Sequence, residues 1–262
     1  MTAAHPSRSG LWDWARSVVD RHRHPDGGEL YQTSTMSALL AGVYDGTVTV
    51  GELLRHGDFG LGTFNHLDGE MIVVDGVCHH LRADGTAVRA APTEQTPFAA
   101  VTRFTPRGTV AVEAPANWAG VTGRIDDLLG SDNVMCAIRI RGRFASVDTR
   151  TVREQHQPYP PLVEATAGQA HTRFDDVSGT LAGFRMPSYD QGISVSGYHL
   201  HFLTADMDRG GHCLDFEMTD GTVEYAPLTE LHLSVPETAA FRDADLDGTD
   251  TAEQIRRTEG GH

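Results

Sequence analysis

Gly197-Tyr198-His199-Leu200-His201-Phe202-Leu203 alternates apolar residues with histidine, and its reading decides the fold around it. A two-residue period is that of a strand. It places Tyr198, Leu200 and Phe202 on a core face and sends His199 and His201 together to the opposite one. On a helix the two imidazoles would splay apart. The polar run Asp206-Met207-Asp208-Arg209 and a Gly-Gly turn at Gly210-Gly211 bring the chain back. His212 then opens a second apolar run, Cys213-Leu214-Asp215-Phe216, and returns beside the pair as a third imidazole. Three imidazoles leave a coordination position open, which suits a catalytic zinc or another borderline divalent ion better than a closed structural site. The plain alternative is three unrelated histidines in a chain that has 14, and His22-Arg23-His24 repeats the spacing in what reads as a solvated tail. Cys213 follows His212 directly, but on a strand it faces away.

Further blocks flank this strand: Gly62-Thr63-Phe64-Asn65-His66-Leu67-Asp68-Gly69-Glu70, Arg150-Thr151-Val152 ahead of Pro158-Tyr159-Pro160-Pro161-Leu162, and Gly183-Phe184-Arg185-Met186-Pro187. In this order and spacing, over about residues 34 to 259, the sequence resembles the alpha-acetolactate decarboxylase family. The resemblance implies an α+β fold of two similar mixed-sheet domains related by duplication, with the metal site on a strand pair of the second. It implies Zn2+ held by His199, His201 and His212, a homodimer, and decarboxylation of 2-acetolactate to acetoin. Acetolactate carries a ketone, a hydroxyl and a carboxylate on adjacent carbons, so loss of carbon dioxide leaves charge that must spread onto the ketone oxygen. A zinc ion chelated by the ketone and hydroxyl oxygens would act as Lewis acid and stabilise the enediolate. Arg150 matches the arginine that would hold the substrate carboxylate by a planar two-point contact. Glu70 and Glu259 match glutamates that would donate the proton or add a metal contact, and Thr63 matches a minor substrate contact. Glu253 lies close to Glu259, and the tail spacing departs slightly from the family pattern.

With 262 residues, the chain can bury a substantial core as one or two domains. Its formal net charge of -15, from 36 acidic and 21 basic side chains, argues against nucleic acid as a partner. An anionic substrate therefore needs a local positive centre, which a metal and one arginine would provide. No stretch reads as a secretory signal or a membrane span, and three cysteines at no metal-like spacing fit a reducing compartment, so a cytoplasmic protein is expected.

Along the chain, residues 1–33 read as an N-terminal extension, 34–160 as a first domain and 161–262 as a second carrying the histidines, with the boundary at Pro158-Tyr159-Pro160-Pro161. Thr49 is a candidate helix cap, Gly57 to Gly62 a glycine-rich loop, and residues 63–67 and 71–77 strands joined by Asp68-Gly69. Trp118 to Leu129 reads as helix, and Val134 to Phe144 as a strand leading towards Arg150. Ile72-Val73-Val74-Asp75-Gly76 with His79 faintly echoes Ile193-Ser194-Val195-Ser196-Gly197 with His199, as a duplication would leave it. Asp243, Asp245 and Asp247-Gly248 imitate half a calcium loop, whose last ligand position falls on Gln254 rather than a glutamate. Two other readings stay open: a non-catalytic metal-dependent binding module, related to small α+β DNA-associated proteins, and a histidine-metal oxygenase, which would want two histidines and a carboxylate.

Overall fold

The structure, a computed structural model, describes residues 28–113, 115–247 and 251–259. Its first half runs β1 (Gly28–Thr33), α1 (Met36–Leu40), β2 (Val48–Thr49), α2 (Val50–Leu53), β3 (Phe59–Thr63), β4 (Glu70–Val74), β5 (Val77–Leu81) and β6 (Ala87–Arg89). It continues through β7 (Gln95–Thr96), β8 (Ala99–Thr102), β9 (Gly108–Ala111), β10 (Ala116–Asn117) and α3 (Trp118–Leu129). Then follow β11 (Met135–Thr151), α4 (Leu162–Ala165), β12 (Ala170–Met186), β13 (Gly197–Thr204), β14 (Gly210–Ser234), α5 (Ala239–Asp243) and α6 (Thr251–Glu259). The expected class, α+β with mixed sheets, is what forms: strands dominate, and all but β2 and β7 join one 12-stranded sheet. That sheet is mixed because β1 pairs parallel with β14 while its other ladders are antiparallel. No helix among the described residues is long and apolar enough to cross a membrane.

Local chemistry explains most of these elements. Thr49 caps α2 as expected, in a capping box with Glu52: the Glu52 N–H donates to Thr49 Oγ1 and the Thr49 N–H to the Glu52 carboxylate. The helix α3 spans the expected residues, starts on Asn117 and ends at Gly130 in the left-handed region, φ 64°. The stretch read as a glycine-rich loop is instead mostly strand β3. Its glycines are there for contact, since a Cβ on Gly62 would lie 2.4 Å from the Phe98 carbonyl oxygen. The hairpin turn is at Asp75-Gly76, φ 51° and 77°, which joins β4 to β5; residues 71–77 are therefore not one strand. Asp68-Gly69 does lead into β4, but from a single turn of tight helix at Asn65–Leu67. Likewise Gly210 and Gly211 lie inside β14, not in the turn that precedes it. Residues 28–33, read as the end of an extension, form β1 between β14 and β8 and bury Leu30 and Tyr31. The rest of that extension lies outside the described residues, as does part of the acidic turn from Asp243 to Gln254.

The long strands place the site. β11 pairs with β12 from Cys136 to Thr151 and with β14 from Met135 to Arg150, and β13 bridges β12 to β14, so β11 to β14 close into a ring. The expected boundary at residues 158–161 falls in the connection between β11 and β12. Inside the ring, Leu200, Phe202, Cys213 and Phe216 pack with Ile138, Phe144 and Phe174. A separate apolar cluster joins α1, α4 and α6 through Leu39, Leu162 and Ile255 to Leu67, Phe98 and Val152.

A candidate metal centre

Strand register brings the three histidines together. His201 on β13 stands directly opposite His212 on β14, and His212 is in turn opposite Arg150 on β11, so one row across three strands holds two imidazoles and a guanidinium. His199 is two residues before His201, on the same face of β13. One nitrogen from each of the three imidazoles can be chosen so that all lie within 4.8 Å of one another, and among the described residues this is the one cluster able to hold a metal ion. His199 Nε2 and His201 Nε2 are 3.2 Å apart. Leu200 and Cys213 point the other way, into the ring, as alternation demands.

The donor chemistry fits a borderline divalent cation. Metal-binding imidazoles must be neutral, and burial depresses all three: His199 falls to about 3, with Arg150 adding to the effect, while His201 and His212 go well below their ordinary value. Orientation is fixed from behind. His201 Nδ1 donates to the Met71 carbonyl at 2.7 Å, leaving Nε2 bare towards the cluster, the usual support for a ligating histidine. His212 Nε2 lies 3.1 Å from the Glu259 carbonyl and 3.3 Å from Arg150 Nη2; the tautomer that donates to the carbonyl leaves Nδ1 as the bare nitrogen.

Two carboxylates reach the same cluster. Glu70, at the start of β4 and paired with Thr63 on β3, lies 3.8 Å from His201 Nε2 and 3.9 Å from Arg150 Nη1. Glu259, at the end of α6, lies 3.6 Å from both His199 Nε2 and His212 Nδ1 and accepts from Arg150 Nη2 at 3.0 Å. Burial raises Glu70 to about 7 against the pull of Arg150, with Glu259 adding to the rise. Burial raises Glu259 as well, again opposed by Arg150. Glu253 is exposed, so of the two tail glutamates it is Glu259 that reaches the cluster.

Arg150 is 3% exposed, and its Nε has no hydrogen-bond partner among the described residues. An unpartnered N–H at this depth is uncommon and costs about 1–3 kcal/mol unless a bound acceptor satisfies it. Thr63 lines the same cavity, but its hydroxyl proton is committed to the Gly69 carbonyl at 2.7 Å, so it offers a ligand only an acceptor lone pair. The cavity, about 30 Å³, is also lined by the apolar side chains of Met36, Leu39, Phe98, Val152 and Leu162.

All the residues expected to bind or react therefore gather within one site. Sequence reasoning missed two kinds of participant. The Met71 carbonyl and the Val152 N–H, which bonds Glu70, are backbone groups and leave no side-chain signature. The apolar wall is made of residues that composition cannot tell from core.

A family model described as alpha-acetolactate decarboxylase matches residues 30–248, which include every residue of the site except Glu259. An alpha-acetolactate decarboxylase of Methylococcus capsulatus is 47% identical over 226 residues, covering 85% of this chain and 87% of the relative. That of Bacillus subtilis is 45% identical over 232 residues, covering 88% and 91%. The crystal structure of alpha-acetolactate decarboxylase from Bacillus subtilis superposes with a TM-score of 0.87, over 89% of this chain and 100% of that one.

Proposed function

The chain belongs to the alpha-acetolactate decarboxylase family and is a carboxy-lyase acting on acetolactate; we propose that it does so with zinc held by His199, His201 and His212, passing through an enediolate to acetoin. The observation that carries this reading is the unpartnered Nε of buried Arg150, set in one row with the imidazoles. Zinc, when bound, supplies Lewis acidity for the charge that develops on the ketone oxygen.

The chain's own residues do the rest. Arg150 presents a planar fork to the substrate carboxylate and fixes the bond to be broken beside the imidazoles. Departure of carbon dioxide leaves the bonding electron pair on the substrate, and a proton must then reach carbon. Glu70 is suited to hold that proton: a carboxyl raised to about 7 is protonated in good part at neutral pH and still acidic enough to give its proton up. Glu259 is the alternative donor or a further metal contact; its grip on Arg150 makes the second role the better supported. Thr63 accepts from a substrate hydroxyl. The apolar wall keeps water from competing for the proton.

The same reading keeps the metal on the second of two related halves, 34–160 and 161–262, because all three imidazoles come from β13 and β14. It includes a homodimer, which rests on the family resemblance, and a reducing cytoplasm, which three free, buried thiols fit.

The test is acetoin formation from racemic acetolactate without oxygen, using chelator-stripped and zinc-restored protein side by side. Turnover is expected to vanish on stripping and return with zinc, and Arg150→Ala is expected to keep the metal and lose turnover by about 10²-fold or more. Bound zinc without acetoin would leave a metal-dependent binding module in place of an enzyme.

A further inference from the structure

Glu70 reaches the cluster through no short contact. It lies 3.8 Å from His201 Nε2 and 3.9 Å from Arg150 Nη1, both beyond hydrogen-bond length. The Val152 N–H bonds its carboxylate, and otherwise its own backbone decides where the carboxyl stands. That backbone emerges from a constrained turn. His66, Leu67 and Gly69 have φ of 67°, 52° and 76°, a left-handed conformation that side chains disfavour and that persists only where the surroundings hold it. The same turn supplies Leu67 to the cavity and the Gly69 carbonyl to the Thr63 hydroxyl, so several groups of the site move with it.

The two ends of the turn are held differently. At its start, the His66 N–H donates to the Tyr44 carbonyl at 2.9 Å and the His66 carbonyl accepts from the Gln155 N–H at 2.7 Å. At its end the ties are side chains: Thr63 on the Gly69 carbonyl, and His80 on the Asp68 carbonyl. His80 is buried on β5, directly opposite Met71 on β4. A carbonyl can only accept, so His80 Nε2 carries the proton of that bond. Its Nδ1 is 3.0 Å from a Glu94 carboxylate oxygen, and its ring stacks at 4.0 Å on Phe64, two residues before His66. Glu94 is itself fixed, since its carboxylate accepts from the Ala91 N–H and its carbonyl from the Val50 N–H. The imidazole is thus pinned on both edges and on one face.

We propose that His80 is a positioning residue for the proton transfer: by holding the Asp68 carbonyl it sets the backbone from which Glu70 extends, and so aims the Glu70 carboxyl at one face of the carbon that carbon dioxide leaves. The inference rests on the decarboxylase reading of this site, with Glu70 as the donor. In that step the carboxyl O–H bond breaks, the new C–H bond forms and Glu70 is left as a carboxylate. The carbon becomes a stereocentre, and its hand records the side from which the proton came. A donor fixed on one side gives one enantiomer of acetoin. A donor displaced by about 1 Å loses on the order of 10²-fold in rate, and water then competes at both faces.

The experiment measures kcat, KM, bound zinc and the enantiomer ratio of acetoin for zinc-loaded, full-length wild type, His80→Ala and His80→Gln, with enzyme-free substrate as the blank. Glutamine carries an amide N–H about as far from the backbone as Nε2 and can donate to the same carbonyl. Wild type is expected to give one enantiomer in large excess. His80→Ala is expected to lose kcat about 10–100-fold with KM and zinc content little changed, and to lower the enantiomer ratio; His80→Gln is expected to restore both. A merely structural role reads differently. Unfolded molecules make nothing and folded ones keep an intact site, so activity and zinc would fall together at an unchanged ratio. If His80→Ala does not fold, Glu94→Ala decides by the same ratio, because it frees Nδ1 and lets the ring turn. An unchanged ratio in a folded, zinc-loaded variant, or a racemic product from wild type, would overturn the proposal. Failure of the decarboxylase reading is distinct, because wild type would then make no acetoin from acetolactate at all.

Discussion

Asp190 is 4% exposed, and neither of its carboxylate oxygens has a hydrogen-bond partner among the described residues. Burial raises its pKa from 3.8 to about 6. The folded state thus holds a proton that the unfolded chain has already released, so this group lowers stability as pH rises from about 4 to about 6, and the full cost stands above that window. Asp190→Asn is therefore expected to stabilise the protein at pH 7 by on the order of 1–3 kcal/mol and to change little at pH 4. Urea midpoints at the two pH values check this, and an equal shift at both would deny the carboxylate its cost. Nothing in Ser188-Tyr189-Asp190 marks it as buried; polar residues before a glycine read as surface turn. The histidines were legible because a strand's period puts His199 and His201 on one face whatever the rest of the fold does. Arg150 was legible only through its family motif, since the row that aligns it with His212 depends on a pairing between strands far apart in sequence.

The helix α6 is the element that joins the tail to the site. Ile255 and Thr258 are buried, Ile255 in the cluster with Leu39 and Leu162, and this fixes Glu259 against Arg150 and His212. No sheet ladder runs through it. Truncation after Asp250 is thus expected to leave the β-sheet spectrum intact while weakening zinc binding about 10–100-fold, the usual loss when support around a metal site is removed, and reducing turnover with it. Unchanged zinc affinity would deny Glu259 a part in holding the metal and leave it only the role of proton donor. Among the other elements, α2 and α3 were readable because their signals are local: a capping box in one and an amphipathic run ended by glycine in the other. β3 was not, because Gly60 and Gly62 look like loop until the Ala100 and Phe98 carbonyls they must clear are known. The displaced hairpin has a similar cause: Asp68-Gly69 and Asp75-Gly76 carry the same turn signal, and only pairing with β5 tells them apart.

At the scale of the molecule, the site depends on strands from both sides of the expected boundary. The imidazoles come from β13 and β14, whereas Arg150 comes from β11 and the Met71 carbonyl and Glu70 from β4, all before residue 158. A sequence pass favours proline punctuation as a boundary because it reads along the chain, and closure of β11 against β14 is invisible to it. The separation of 34–160 from 161–262 as related halves thus becomes a question of autonomy. A fragment of residues 161–262 would keep the three clustered imidazoles but lose β11 from between β12 and β14, and with it Ile138, Ile140, Phe144 and Val147 from the core that Leu200, Phe202 and Phe216 share. Burial of large apolar side chains is worth roughly 1.5–3 kcal/mol each. Four such losses approach the whole stability of an ordinary domain, about 5–15 kcal/mol. The fragment is therefore expected to lack dispersed amide signals in a nitrogen–proton correlation spectrum and to bind zinc weakly. Adding β11, as residues 134–262, restores the ring and is expected to recover amide dispersion. A folded, zinc-binding 161–262 fragment would instead make the second half an autonomous domain, with β11 its guest.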